Sequence, residues 1–342
     1  MRKVYKSIMV CIMIMMIGLT GCQELQLDGE NSNASATGTK KKITIGLSVD
    51  QEFESRVNVT NAIKLAATKK NMLVKEAIAN GDARTQSMQI RTFIEARVDA
   101  ILVCAVDQNS IIDVLEEAKK KGIPIVAFDR ELPHVEVVDA YIGPDSVMDG
   151  KLCGEAMIEH FQDQAGPIVV LELVGALNDQ NGIDRSKGWN QTLEKEVLAN
   201  SEDKKFRVVQ MPTDWDTQSA TEAVQNAFQS VDNVAAVFCA TDSFIPSVNT
   251  VLDKLRMQGV LEEDSHVFIN GINGSHDGYE AVRSGKADGF VVMDLETTGE
   301  KAIELVDKLV SGEIVERVNK VTSNYYTQAN VEANRKSIWG AN

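Results

Sequence analysis

The stretch KKGIPIVAFDRELP, residues 120–133, joins an unbroken apolar run, Ile123 to Phe128, to two adjacent opposite charges, Asp129 and Arg130. A short run with no polar alternation reads as a strand covered on both faces, as in a parallel sheet flanked by helices. A buried strand that ends in a charge pair holds that pair at the carboxyl edge of its sheet. There it meets a catalytic substrate, a bound ligand or a neighbouring chain.

The surrounding sequence repeats this strand. From residue 43, short β-branched runs alternate with helical stretches: KITIGLSV, a helix at 56–70; MLVKEAIA, a helix at 83–97; AILVCAV, a helix at 108–121; then IPIVAF and VVDAYIG. After GPDS (143–146) the alternation restarts. A helix at about 146–162 leads to PIVVLEL, and further strands follow at FRVVQM, VAAVFCA, HVFING and GFVVMD. The predicted helices between and after them lie at 182–198, 216–230, 242–257, 276–284 and about 296–311, and EIVERVNKVTS closes the series. Strand–helix alternation with short connections predicts an α/β fold of two doubly wound, Rossmann-like parallel units. No Pro- or Ser-rich linker separates them, so the connection between them is close.

The N-terminus carries a different message. Arg2, Lys3 and Lys6 precede an apolar run from Ile8 to Leu19, and Leu19-Thr20-Gly21-Cys22 follows. The run is shorter than the roughly 20 residues a spanning helix needs and reads as an export signal. Its ending resembles a bacterial lipobox, which makes Cys22 the lipidated first residue of the mature chain. Residues 23–42 are then a polar tether. Loss of residues 1–21 removes three positive charges and takes the net charge from −15 to −18, a surface that repels nucleic acid. The remaining cysteines, Cys104, Cys153 and Cys239, are odd in number and widely spaced. They form no disulfide framework and are expected in the core.

Ligands of open parallel sheets bind beyond the carboxyl ends of the strands. The polar residues there are Asp50, Asp129, Arg130, Asn178, Asp179, Asn181, Thr241, Asp242, Asn273 and Asp294, with Met293 and the aromatic Trp215. Arg56 and Arg185 open the helices after two of the strands. Taken singly, each polar residue reads equally as a helix cap or a surface ion pair. As a series they suit a polyhydroxylated ligand: carboxylates and guanidiniums match vicinal hydroxyls, and an indole covers the C–H face of a sugar ring. Enzyme signatures are missing. There is no Walker loop, GINGSHDG lacks dinucleotide-fingerprint spacing, no G-x-S-x-G elbow occurs, and His134, His160, His266 and His276 lack metal-ligand spacing. Asp129 and Asp242 could be drawn as a glycosidase pair, but a neighbouring guanidinium keeps Asp129 ionised and unsuited to be a general acid. No cofactor or metal is expected.

The segments NGDARTQSMQIRTFIEARVDAILV, AKKKGIPIVAFDRE and YIGPDSVMDGKLCGEAM resemble the type 1 periplasmic sugar-binding proteins of ABC importers, over residues 43–340. FESRVN and YYTQANVEANRKSIW are similar to the xylose-binding branch. The resemblance implies two lobes, 43–143 with 294–322 and 145–292 with 324–342, joined by three crossovers near Pro144, Met293 and Ser323. It also implies a sugar held between the lobes and no catalysis. Carried over by position, Arg56, Asp129 and Arg130 bind from the first lobe, where Asp50 joins them by its place after the first strand, and Asn181, Arg185, Trp215 as stacking ring, Thr241, Asp242, Asn273 and Met293 complete the site. Thr241 stands where the family has Asn, Asn273 where it has Asp, and Met293 where it has Gln or Asn. Trp189 and Trp339 are expected outside the cleft. The implied role is a monomeric, lipid-anchored receptor on the outer face of the cytoplasmic membrane or in the periplasm, delivering a xylose-, ribose- or galactose-like sugar to an ABC permease. The alternative partner is a sensor kinase ectodomain, and a carbohydrate-active enzyme is a further alternative. A related repressor would need a basic DNA-binding helix pair where this chain has a signal and an acidic tether.

Overall fold

The structure, a computed structural model, describes residues 41–132, 135–197 and 204–341. Cys22, the signal and nearly all of the tether lie outside the described residues. Along the first unit the elements are β1 (Thr44–Val49), α1 (Glu54–Lys69), β2 (Leu73–Ile78), α2 (Ala83–Glu95), β3 (Ala100–Val103), α3 (Ile112–Lys120), β4 (Ile125–Phe128) and β5 (Ala140–Pro144). The second unit continues with α4 (Ser146–His160), β6 (Ile168–Val174), α5 (Gln180–Leu193), β7 (Phe206–Pro212), α6 (Thr217–Ser230), β8 (Val234–Cys239), α7 (Ile245–Met257), β9 (Phe268–Asn273), α8 (His276–Arg283) and β10 (Gly289–Val292). The chain ends with α9 (Leu295–Val310), β11 (Val318–Val321) and β12 (Asn324–Thr327).

Two six-stranded sheets result, ordered β11-β5-β4-β3-β1-β2 and β12-β10-β9-β8-β6-β7. The apolar run that ends at Phe128 is β4, inside the first sheet. Val126 and Phe128 face one core layer while Ile125 and Ala127 face the other. Both faces are therefore covered, which is why the run shows no polar alternation. β8 divides its side chains between two layers of the second lobe in the same way, Val237 and Cys239 against Ala236 and Phe238. Cys104, Cys153 and Cys239 are free thiols buried in these layers.

The chain passes between the sheets three times, after β5, after β10 and between β11 and β12. The first two passages hand a helix to the opposite lobe: α4 packs on β9 and β10, and α9 packs on β3, β4 and β5. The third adds one antiparallel edge strand to the otherwise parallel sheets, because β12 pairs antiparallel with β10. Only Thr322 and Ser323 separate β11 from β12, and a parallel return needs a crossover of a dozen or more residues. The chain leaves one sheet at its carboxyl edge and enters the other from that same edge, so β12 must run against its neighbours.

Candidate functional site

The carboxyl edges of the two sheets face each other and enclose a cavity of about 360 Å³. Three backbone features build its walls. At the end of β4, Arg130 N–H donates to the Phe128 carbonyl at 2.8 Å, closing a three-residue turn on Asp129, whose φ is 62°. That turn brings both charges of the opening stretch to the cavity. Trp215 also has positive φ, 63°, and lays its indole on Gly175, where any Cβ would collide with the ring. Asn273 has φ 142°. Backbone strain of this kind in non-glycine residues gathers at functional sites. Arg185 is placed by a close crossing of α4 and α5 through Gly150 and Gly188, since a Cβ on either would strike the backbone of the other helix.

Asp50, Arg56, Asp129, Arg130 and Asp179 form one chain of ion pairs. Asp50 accepts from Arg56 Nε at 2.7 Å and lies 3.1 Å from Arg130 Nη1. Arg56 Nη1 pairs with Asp129 Oδ2. Arg130 Nε lies 2.8 Å from Asp179 Oδ2, in contact but off the hydrogen-bond direction. Asp179 also accepts from Trp215 Nε1 at 3.1 Å and from the Asn181 N–H at 2.9 Å. Burial opposes the charged form of Asp50, but the Arg56 and Arg130 guanidiniums together outweigh it and hold the carboxyl below its ordinary value. Burial likewise works against the Arg56 cation, and Asp50 overcomes it, so the guanidinium is held charged.

Arg185 differs from the other two arginines. It is 3% exposed, donates from Nη1 to the Ala240 carbonyl at 2.7 Å and from Nη2 to Met293 Sδ at 3.3 Å, and has no carboxylate within ion-pair distance among the described residues. Burial lowers its pKa, partly opposed by Asp149, Asp179 and Asp242. Its Cζ lies 5.8 Å from the centre of the Trp215 ring.

Of the expected contacts, Arg56, Asp129, Arg130, Asn181, Arg185, Trp215, Thr241, Asn273 and Met293 line this cavity. Two do not. Asp50 sits one layer back, behind Arg56 and Arg130, facing a neighbouring hollow. Asp242 is fully buried, and its Oδ2 accepts from the N–H groups of Gly274 and Ser275 at 2.7 and 2.8 Å. It fixes the loop after β9, and burial pushes its carboxyl up to about 7. Asp294 caps α9 by accepting from Thr297 N–H at 2.9 Å, and Asn178 is exposed, its carbonyl accepting from Gln108 of the first lobe at 3.1 Å.

Trp339 overturns an expectation. It lines the cavity, where its Nε1 donates to the Asn273 carbonyl at 3.0 Å. The segment after β12 folds back over the second lobe, and Gly340 N–H bonds to the Gly274 carbonyl at 2.9 Å. No periodic pattern in that irregular segment marks the return. Trp189 does lie elsewhere, stacked on Phe238 in the core. Contacts between the lobes surround the cavity: Arg130 with Asp179, Gln108 with Asn178, and His276 N–H with Glu54 Oε1 at 3.3 Å.

With this geometry in hand, likeness to known proteins is informative. A periplasmic binding protein domain model matches residues 46–314. The ribose import binding protein of Bacillus subtilis is 24% identical over 315 residues, 91% of this chain and 95% of that protein. A Mycobacterium smegmatis protein solved in complex with β-D-fucofuranose superposes with a TM-score of 0.75 at 25% identity, covering 85% of this chain and 93% of the other. An ABC transporter solute-binding protein of Bacillus halodurans with bound myo-inositol gives 0.76 at 24% identity, covering 88% and 100%. The chain belongs to the periplasmic binding protein family and is a binding protein, not an enzyme.

Proposed function

We propose that this chain captures a neutral monosaccharide or closely related polyol between its lobes and delivers it to an ABC importer, held at the outer face of the cytoplasmic membrane by a lipid on Cys22. The observation that carries the reading is the charge balance at the cavity. Among the buried or nearly buried charges, three guanidiniums, Arg56, Arg130 and Arg185, stand against three carboxylates, Asp129 and Asp179 at the lining and Asp50 one layer back, while the exposed Glu54 and Asp216 also line the cavity. A balanced array offers strong donors and acceptors without selecting a charged ligand. Trp215 adds a ring of the kind that packs on the C–H face of a sugar. The ligands named for the three relatives, ribose, fucofuranose and myo-inositol, are neutral polyols.

Asp129 and Arg130 from one lobe and Asn181 and Arg185 from the other converge on the ligand, so binding draws the lobes together. A closed, liganded form is then what a membrane partner recognises. A thermal-shift screen of the full-length protein against neutral monosaccharides, polyols and sugar acids tests the reading. At least one neutral member should raise the midpoint by several degrees. A response confined to sugar acids or amino acids would sink it.

A further inference from the structure

One wall of the cavity is chemically unlike the rest. The Asn273 carbonyl accepts both the Met293 backbone N–H and Trp339 Nε1–H, each at 3.0 Å, and the Trp339 ring packs against the core cluster that contains Met293. The indole's single donor is thereby committed. Met293 is 4% exposed, and its sulfur already accepts from Arg185 Nη2. The thioether is a weak acceptor with no donor to offer. The ion-paired groups Asp129, Arg130 and Asp179 line the same cavity. The cavity is thus polar at its ion pairs and apolar at the second crossover, where Met293 joins β10 to α9.

We propose that Met293 and Trp339 select a ligand whose carbon facing this wall bears no hydroxyl, either a deoxygenated ring carbon or a terminal methyl. The inference rests on the reading that the cavity takes a polyhydroxylated ligand, and specifies that ligand's class. A hydroxyl pressed against Met293 and Trp339 loses its water hydrogen bonds, and neither of these side chains has a free donor or a strong acceptor to replace them. An apolar pocket of this kind disfavours an added hydroxyl by roughly 10- to 100-fold. The nearly isosteric Met293→Gln variant replaces the thioether with an amide that both donates and accepts, and so supplies what the wall lacks.

The test is calorimetric titration of the full-length protein with matched pairs: 2-deoxyribose and ribose, 6-deoxygalactose and galactose, 6-deoxymannose and mannose. In the pair that contains the best ligand, the deoxy member should bind about 10- to 100-fold more tightly. Met293→Gln should compress or reverse that ratio, while Met293→Leu, which keeps the wall apolar, should preserve it. If sugars bind but the hydroxylated member is equal or better, the inference fails and the polyol reading stands. It also fails if Met293→Gln leaves the ratio unchanged. Should no neutral sugar or polyol bind at all, the polyol reading itself falls, and this inference with it.

Discussion

Removing the Arg130 side chain separates binding from folding. In the structure this guanidinium has three contacts: Asp50 Oδ2 at 3.1 Å within its own lobe, the Ala105 carbonyl at 3.1 Å, and Asp179 Oδ2 at 2.8 Å across the cleft. In Arg130→Ala neither acid is left bare. Asp50 keeps Arg56, while Asp179 keeps the Trp215 indole and the Asn181 N–H. The stability loss without ligand should therefore be about 1 kcal/mol, well below the 3–5 kcal/mol that follows from stripping a buried charge of its only partner. Affinity should suffer more. The variant loses charge-assisted bonds to the ligand, at about 1.5–3 kcal/mol each, together with a contact that holds the lobes closed. A total of about 2–4 kcal/mol corresponds to roughly 30- to 1000-fold weaker binding. Calorimetric titration with the ligand found by screening measures this directly. A double-mutant cycle with Asp179→Asn should show coupling of at least about 1 kcal/mol, since the two side chains touch. Arg130→Ala binding within threefold of wild type would refute the assignment of Arg130 as a lining anchor.

Trp215→Ala should keep most of the unliganded stability but lose ligand affinity, whereas Trp215→Phe keeps much of the binding because a smaller ring still covers a sugar face; equal affinity in the Ala variant rejects the stacking role. Ligand should change tryptophan fluorescence, and because both Trp215 and Trp339 line the cavity, the change should persist in reduced form in Trp215→Phe and vanish only when both are replaced. For Asp242, the folded pKa of about 7 lies above the ordinary 3.8; the native state therefore holds a proton the unfolded chain releases, and its contribution to stability falls as pH rises from about 4 to 7. Asp242→Asn, which keeps an acceptor for Gly274 and Ser275, should raise the melting midpoint, more at pH 8 than at pH 5, and a pH-independent difference would contradict this. Gly150→Ala forces α4 away from the Arg185 carbonyl and should reduce stability by about 1–3 kcal/mol and weaken ligand binding as well, read by denaturation and titration. Replacing Cys22 with Ser should release the protein from membranes without altering affinity; a variant that still sediments with membranes means the N-terminus was misread.

Much of this architecture is legible without coordinates, because it follows from short-range physics. Strands buried on both faces must be uniformly apolar, so IPIVAF, AILVCAV and VAAVFCA declare a parallel sheet covered by helices. The chain must leave such a strand at the edge where ligands of parallel sheets bind, so Asp129 and Arg130 are expected at the cavity, and both line it. What the sequence leaves open is which polar groups find one another once two sheets are brought edge to edge. Asp50 follows its strand directly, as Asp129 does, and Asp242 follows β8 by three residues, yet each is enclosed by partners, guanidiniums for one and backbone N–H groups for the other, and stays behind the surface. Asp179 reads as a helix cap, and it is one, but its second oxygen also meets Arg130 and Trp215 from outside its helix. Trp339 reaches the cavity through an irregular segment that carries no periodicity to read. The antiparallel turn of β12 comes from a two-residue passage whose meaning depends on where the other sheet lies. Local pattern reports burial, one residue against its neighbours in the chain. Pairing between residues tens or hundreds of positions apart is decided by the lobes' packing, and it is that pairing which sorts binding residues from the ones that hold them in place.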